Sequence, residues 1–270
     1  MDVTETNKGD GWGMTPIVAI LLAIAAAAVA WAVYAARPAW YAGRGNAEFS
    51  KGNIEGALNL FERAHGLRNA KPPQSIGYAY LLMKAGDPAK AERVLEAAIP
   101  KTKPGIVRMQ AQLNLATAVW LQGRRDEAVS LLEDVHRDYK NTTVYGNLGY
   151  FKLLQGDLEA ALAFNREAYE YNADDVTILD NLAQTHYMLG RYDEAAAWYE
   201  KTVAKRPKHA ETYYYYARTL MMLGKTEEAL EQARLAAERP LSLVTPVARE
   251  QVDALPVDIE NSGVLYKKEN

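Results

Sequence analysis

The sequence predicts an all-α protein: a single apolar helix near the N-terminus, followed by an α-solenoid of about six helical hairpins. Three observations carry this reading. Glycines recur with a period near 34 residues, alanines recur at fixed distances from those glycines, and one run of twenty residues near the start holds no charge. A period of this length with one residue class per slot marks stacked supersecondary units rather than one globular core.

Composition sets the outer bounds. The 270 residues are 49% hydrophobic, ample for a packed core. Lys plus Arg (31) nearly balance Asp plus Glu (34), so the one-sided basic footprint that phosphate backbones demand is missing and nucleic acid is not an expected partner. Cysteine is absent, which removes disulfide staples, thiolate nucleophiles and Cys-based zinc sites together.

Residues 1–16 read as a short polar tail. Residues 17–36, IVAILLAIAAAAVAWAVYAA, carry no charge, and as a helix they would span one bilayer core. Trp12 precedes the run, and Trp31, Tyr34, Trp40 and Tyr41 crowd its far end, where amphipathic rings favour the membrane interface. A cleaved signal peptide is the competing reading, with Val33-Tyr34-Ala35 as its cleavage site, but the leader lacks a basic n-region. Only Lys8 precedes the run whereas Arg37, Arg44 and Lys51 follow it, so a single-pass anchor would leave the C-terminal bulk in the cytoplasm.

Residues 38–240 hold the repeats. Gly52, Gly86, Gly123, Gly156, Gly190 and Gly224 are separated by 34, 37, 33, 34 and 34 residues. Five residues after each stands alanine: Ala57, Ala91, Ala128, Ala161, Ala195 and Ala229. Seven residues before each the side chain is again minimal: Gly45, Ala79, Ala116, Gly149, Ala183 and Ala217. Glycine suits the left-handed turn that closes one helix, and acids such as Asp126, Glu159, Asp193 and Glu227 then sit in the first turn of the next, matching its dipole. The small residues on either side of the turn are placed to face each other across the hairpin. Leu115, Leu148 and Leu182, with Leu95, Leu132 and Tyr199, fill the other contact faces; Pro100, Pro207 and Pro240 end second helices.

This pattern closely resembles the tetratricopeptide repeat (TPR) family. NLGYFKLLQGDLEAA and NLAQTHYMLGRYDEAA match best, with GKTEEA and GRRDEA in support. The resemblance covers roughly Pro38 to Pro240; Arg44 departs from the leucine found at its slot in later units, and residues 101 to 105 are extra and predict a longer loop near residue 103. After Pro240 the period lapses. Residues 241–256 predict a short capping helix near 246 to 255, with Thr245 as N-cap and Pro246 in the first turn, and residues 257–270 a flexible tail.

In a solenoid of hairpins the first helices line the concave face, which is the default partner-binding surface. Asn114, Asn147 and Asn181 stand nine residues before three successive glycines, a repeated slot whose amides could bond a bound peptide backbone or simply be tolerated there. Three residues before each glycine stand Phe49, Met83, Trp120, Leu153, Tyr187 and Met221, either walls of a groove or packing residues. In the run Tyr213 to Tyr216, register points Tyr214 and Tyr215 into the groove with Arg218 one turn on from Tyr214; dense packing near a capping end is the alternative. Tyr150 completes the candidate groove set. The TPR subclass that grips a C-terminal carboxylate uses concave cations, and here the inner slots offer little beyond Arg218.

Nothing in the sequence calls for catalysis, a cofactor or a metal. His65, His136, His186 and His209 occupy unrelated slots without ligand spacing and read as surface or groove residues. The sequence therefore predicts a non-enzymatic, membrane-anchored scaffold that binds a protein or peptide in its groove. A self-assembling structural protein, giving a homo-oligomer, and an exported chaperone-like factor are the alternatives.

Overall fold

The structure, a computed structural model, describes residues 16–268. Lys8 and Trp12, used above, lie outside the described residues. The described chain is all-helical and divides into two compact units, Met1–Gln74 and Ser75–Asn270.

The first unit holds α1 (Pro16–Ser50) and α2 (Ile54–His65). Where the sequence predicts a break after residue 36, α1 runs unbroken for 35 residues, so the apolar run and the first hairpin helix are one rod. Its apolar side chains from Ile17 to Val33 are exposed, and the helix is long and apolar enough to cross a membrane. Pro38 lies buried inside this helix. A proline there lacks the N–H that would bond the carbonyl four residues back. The orphaned acceptor, Tyr34 O, instead receives a bond from Asn69 Nδ2 at 2.8 Å. Further along, Gly45 packs on α2 so closely that a Cβ would lie 2.6 Å from the Phe61 ring. Arg44, the departure noted in the sequence, is exposed, and its guanidinium lies over the Trp40 ring.

The second unit continues with α3 (Pro72–Lys84), α4 (Pro88–Ala98), α5 (Ile106–Leu121), α6 (Arg125–Asp138), α7 (Thr142–Gln155), α8 (Leu158–Tyr171), α9 (Val176–Met188), α10 (Tyr192–Val203), α11 (Ala210–Met222), α12 (Thr226–Ala237) and α13 (Arg249–Lys268). From α4 onward each helix packs against the next, and α7, α9 and α11 also pack side by side. The six turn glycines have φ between 72° and 104°, the left-handed region, as their slot requires. In five of the six turns the next amide reaches back to a carbonyl of the preceding helix, for example Arg191 N to His186 O at 2.9 Å. After the glycine, Asn53, Asp87 and Asp157 cap the following helix with their side chains. Where Arg124, Arg191 or Lys225 stands there instead, paired acids in the first turn serve the dipole.

The alanines at the plus-five slot are all fully buried, as are Ala79, Ala116, Ala183 and Ala217 across the hairpins. Gly149 is there for a sharper reason: a Cβ would lie 2.0 Å from Asn165 Oδ1 on the paired helix. The extra residues near 103 form a 3₁₀ turn over Ile99–Lys101 followed by a short loop into α5.

The C-terminal end differs from the sequence expectation. The last helix begins at Arg249 rather than 246, and it passes through Pro256 into residues expected to form a flexible tail. The reason is a buried stripe, Val252, Leu255 and Ile259, that packs into the same apolar cluster as α12 on both sides of the proline. Arg249 reinforces the join by donating to Ala237 O, the last carbonyl of α12, and to Arg239 O just beyond it.

Candidate functional site

The main cleft of the second unit opens along first helices α5, α7, α9 and α11 and has a volume of about 580 Å³. Asn114, Asn147, Tyr150 and Asn181 all line it, so the structure brings together the four most regular candidates. Their amides are not equivalent. Asn181 is buried, and its Nδ2 donates to Gly146 O at 2.9 Å, tying α9 to α7. Asn147 Nδ2 folds back onto Thr143 O of its own helix, and Asn114 Oδ1 accepts from Gln110 at 3.1 Å. These two are half-buried, and their bonds lie within a single helix. The asparagine slot is thus one structural tie and two groups facing the cleft.

The remaining candidates do not line the cleft. Trp120 is buried against Phe151, with centroids 4.6 Å apart. Tyr214 and Tyr215, placed in the groove by register, are buried at 5% and 7% exposure, as are Tyr213 and Tyr216. Helix α11 is covered on more than its inner and outer faces because both α9 and α13 pack against it. Tyr187 stacks near Tyr215 and Tyr192, and exposed Arg218 bonds the Tyr214 hydroxyl at 3.2 Å. These residues form an aromatic cluster of their own. His186, expected at the surface, is buried, and burial holds its imidazole below its ordinary pKa.

Sequence reasoning missed the chemistry at the cleft wall. Asp180, Gln184, Glu211 and Thr212 line it, with Lys205, Arg206, Lys208 and His209 of the α10–α11 loop at its edge. Burial raises the Asp180 carboxyl to about 7, against a hydrogen bond from Thr212 and with help from the nearby Glu211 charge. Its Oδ1, like Gln184 Nε2 and Glu211 Oε2, is enclosed without a hydrogen-bond partner. One signal was legible: ten residues before each glycine stand Ala42, Ile76, Leu113, Gly146, Asp180 and Tyr214, and the lone acid in that series is Asp180.

The segment after the last repeat enters this cleft. Pro240 O accepts from Ala210 N at 3.0 Å, and Ser242 places both its N and its Oγ on Glu211 Oε1, at 2.8 and 2.7 Å. Two residues on, Val244 O accepts from the Tyr150 hydroxyl at 3.0 Å, and the Val244 side chain rests on the apolar cluster of α5, α6 and α7. Burial raises the Tyr150 phenol well above its ordinary value, so it stays protonated and remains a donor. Ser242, Leu243 and Val244 thus form one wall of the cleft.

Left-handed turns on glycine, alanine-lined hairpins and an inner cleft define a helical-hairpin repeat protein. Family models of the tetratricopeptide repeat match residues 142–208, residues 48–109 with 190–240, and residues 108–143. The chain belongs to the tetratricopeptide repeat family. It is 27% identical over 184 residues to the TPR repeat-containing protein YpiA of Bacillus subtilis, covering 67% of this chain and 43% of that one. It is 30% identical over 94 residues to the protein O-mannosyl-transferase Tmtc3 of Drosophila melanogaster, 35% of this chain and 10% of that one. The chain therefore spans less than half of either relative. Among solved structures, a chain of the APC/C hetero-tetramer Cut9–Hcn1 superposes with a TM-score of 0.63 at 13% identity, over 83% of this chain and 42% of that one. Pseudomonas aeruginosa PilF superposes with a TM-score of 0.56 at 16% identity, over 75% and 91%. At these identities the likeness is one of fold.

Proposed function

We propose that this protein is a membrane-anchored scaffold that holds an extended segment of a partner protein in the cleft of α5, α7, α9 and α11. The observation that carries the reading is the cleft's own chemistry: Tyr150 and Glu211 already bond the main chain of a non-helical segment there, and Asn114 and Asn147 stand beside it with their amides committed only within their own helices. Membrane anchoring rests on the exposed apolar length of α1. Residues 17–36 span the bilayer and the positive charges Arg37, Arg44 and Lys51 keep the repeats on the cytoplasmic side. Catalysis has no part in this reading.

Affinity purification from detergent-solubilised membranes tests it, comparing the wild type with Asn114→Ala/Asn147→Ala. Asn181 is left intact because it ties two helices together. Partners recovered by the wild type and lost by the double variant, at unchanged melting temperature, are the expected result. Equal recovery contradicts the reading. One observation also favours self-assembly: a cleft that accepts residues 241–245 of its own chain would accept those of a neighbour. Sedimentation of the full chain in detergent separates the two, since only self-assembly makes mass rise with concentration.

A further inference from the structure

The cleft is not empty in the folded chain. Between Pro240 and Val247 the backbone leaves the repeat stack, crosses to Tyr150, 94 residues away in sequence, and returns to bury Val247 before α13 begins. Leu241 packs on the apolar cluster of α9 to α13, Ser242 Oγ and Thr245 Oγ1 make local bonds within the segment, and its contacts with the cleft are of a recognisable kind. One main-chain N–H and one hydroxyl, both from Ser242, converge on a single carboxylate oxygen of Glu211. One main-chain carbonyl, that of Val244, accepts a hydrogen bond from the Tyr150 hydroxyl. One aliphatic side chain, also Val244, covers the α5–α7 cluster. The backbone bends at residues 243 and 244, where Ser242 Oγ also donates to Val244 O at 2.7 Å, so the cleft reads two main-chain groups and two side chains of a bent segment.

The strand is also weakly held relative to what surrounds it. Its residues Leu241 to Thr245 are only half-buried and belong to no helix, whereas the flanking anchors are firm: the Ala210–Pro240 bond on one side, and buried Val247 with the Arg249 capping bonds on the other. Beneath it, Glu211 Oε2 is sealed from solvent with no partner, so the strand leaves part of the carboxylate's bonding capacity unused. A ligand offering a second donor to Glu211 would gain what the strand does not supply.

We propose that residues 241–245 are an internal occupant of the partner site, a strap that competes with the partner segment and is displaced by it. The inference rests on the groove reading above and adds both the partner's chemistry and its regulation. The partner segment is non-helical and uncharged where it crosses the cleft, with a hydroxyl or amide side chain on Glu211 and an aliphatic residue two positions on, beside Tyr150 and Phe151. Because the strap is tethered, it lowers the apparent affinity of every partner by the fraction of time the site is open.

A fluorescein-labelled peptide of sequence Arg-Pro-Leu-Ser-Leu-Val-Thr-Pro-Val, copied from residues 239–247, supplies the probe. Its binding is measured by anisotropy to the full chain in detergent micelles, in three forms. The second form has residues 241–245 replaced by Gly-Ser-Gly-Ser-Gly, and the third adds Tyr150→Phe and Glu211→Gln. The replaced chain is expected to bind about tenfold more tightly than the wild type, and the third form to lose that gain. Equal binding to the first two forms overturns the proposal, and so does undiminished binding to the third.

A second measurement leaves the strap in place and so does not depend on the replaced chain folding. Val244→Cys introduces the sole thiol of a chain that has no cysteine. Excess unlabelled peptide is expected to speed its modification by a maleimide about fivefold. An unchanged rate overturns the strap. If the strap fails these tests while Asn114→Ala/Asn147→Ala still loses its partner, the groove reading stands alone. If the strap passes while that variant keeps its partner, the groove reading falls.

Discussion

Asn165 and Gly149 show how closely single residues are matched. An alanine at 149 would put its Cβ 2.0 Å from Asn165 Oδ1, and neither helix can retreat without opening the hairpin. Gly149→Ala is expected to destabilise the fold by about 1–3 kcal/mol in urea denaturation, and adding Asn165→Ala to recover part of that loss. Asp180 gives a pH signature. Its folded pKa of about 7 stands above the ordinary 3.8, so the fold holds this proton more tightly than the unfolded chain does. Its contribution is therefore full below about pH 4 and is lost as pH rises toward 7. Asp180→Asn is expected to flatten that decline and to raise stability at pH 8 by about 2 kcal/mol, measured by urea denaturation at pH 5 and pH 8. The asparagine slot was legible from spacing, but the different roles within it were not. Asn181 becomes a tie because position 146 is glycine and the two helices approach closely enough for its amide to reach Gly146 O. That is a property of the facing residue, invisible in the slot itself.

At the scale of the element, local rules read the hairpins well and the exceptions less well. Left-handed glycines, minimal residues across each hairpin and acids at helix starts all follow from backbone sterics and the helix dipole, which act over a few residues. Two prolines were read as boundaries and are not. Pro38 is carried through α1 because Asn69 takes over the carbonyl it orphans, and Pro256 because Val252, Leu255 and Ile259 hold α13 down on both sides. In each case the compensation lies elsewhere in the chain and outweighs the local penalty. Asn69→Ala should cost about 1 kcal/mol of stability and increase amide exchange in α1 around Pro38, with α2 little changed. The strap was the least legible element, since its contacts with Tyr150 and Glu211 span 94 and 31 residues of sequence and obey no period.

Over the whole molecule, the repeat explains why a fold can be read from 34-residue spacing while a partner cannot. Hairpins stack through neighbour contacts, so the slots that stack them must repeat from unit to unit. A binding site is where the units differ: one acid at Asp180, one tyrosine at Tyr150, and a loop from Lys205 to His209 that edges the cleft. Tyr214, Tyr215 and Trp120, for which the sequence left groove and packing both open, are buried where a neighbouring helix covers a face that register alone leaves open. In the proposed reading apolar α1 fixes the chain at a bilayer and the cleft holds what is brought there. The most direct measurement places a photo-crosslinking benzoylphenylalanine at Thr117 in the cleft or at exposed Glu170 on α8, in the strap-replaced chain expressed in cells. A partner cross-linked through position 117 along one extended peptide, and absent from position 170, is the predicted result. The same partner captured equally from position 170, or none from position 117, would contradict the cleft as the site of its function.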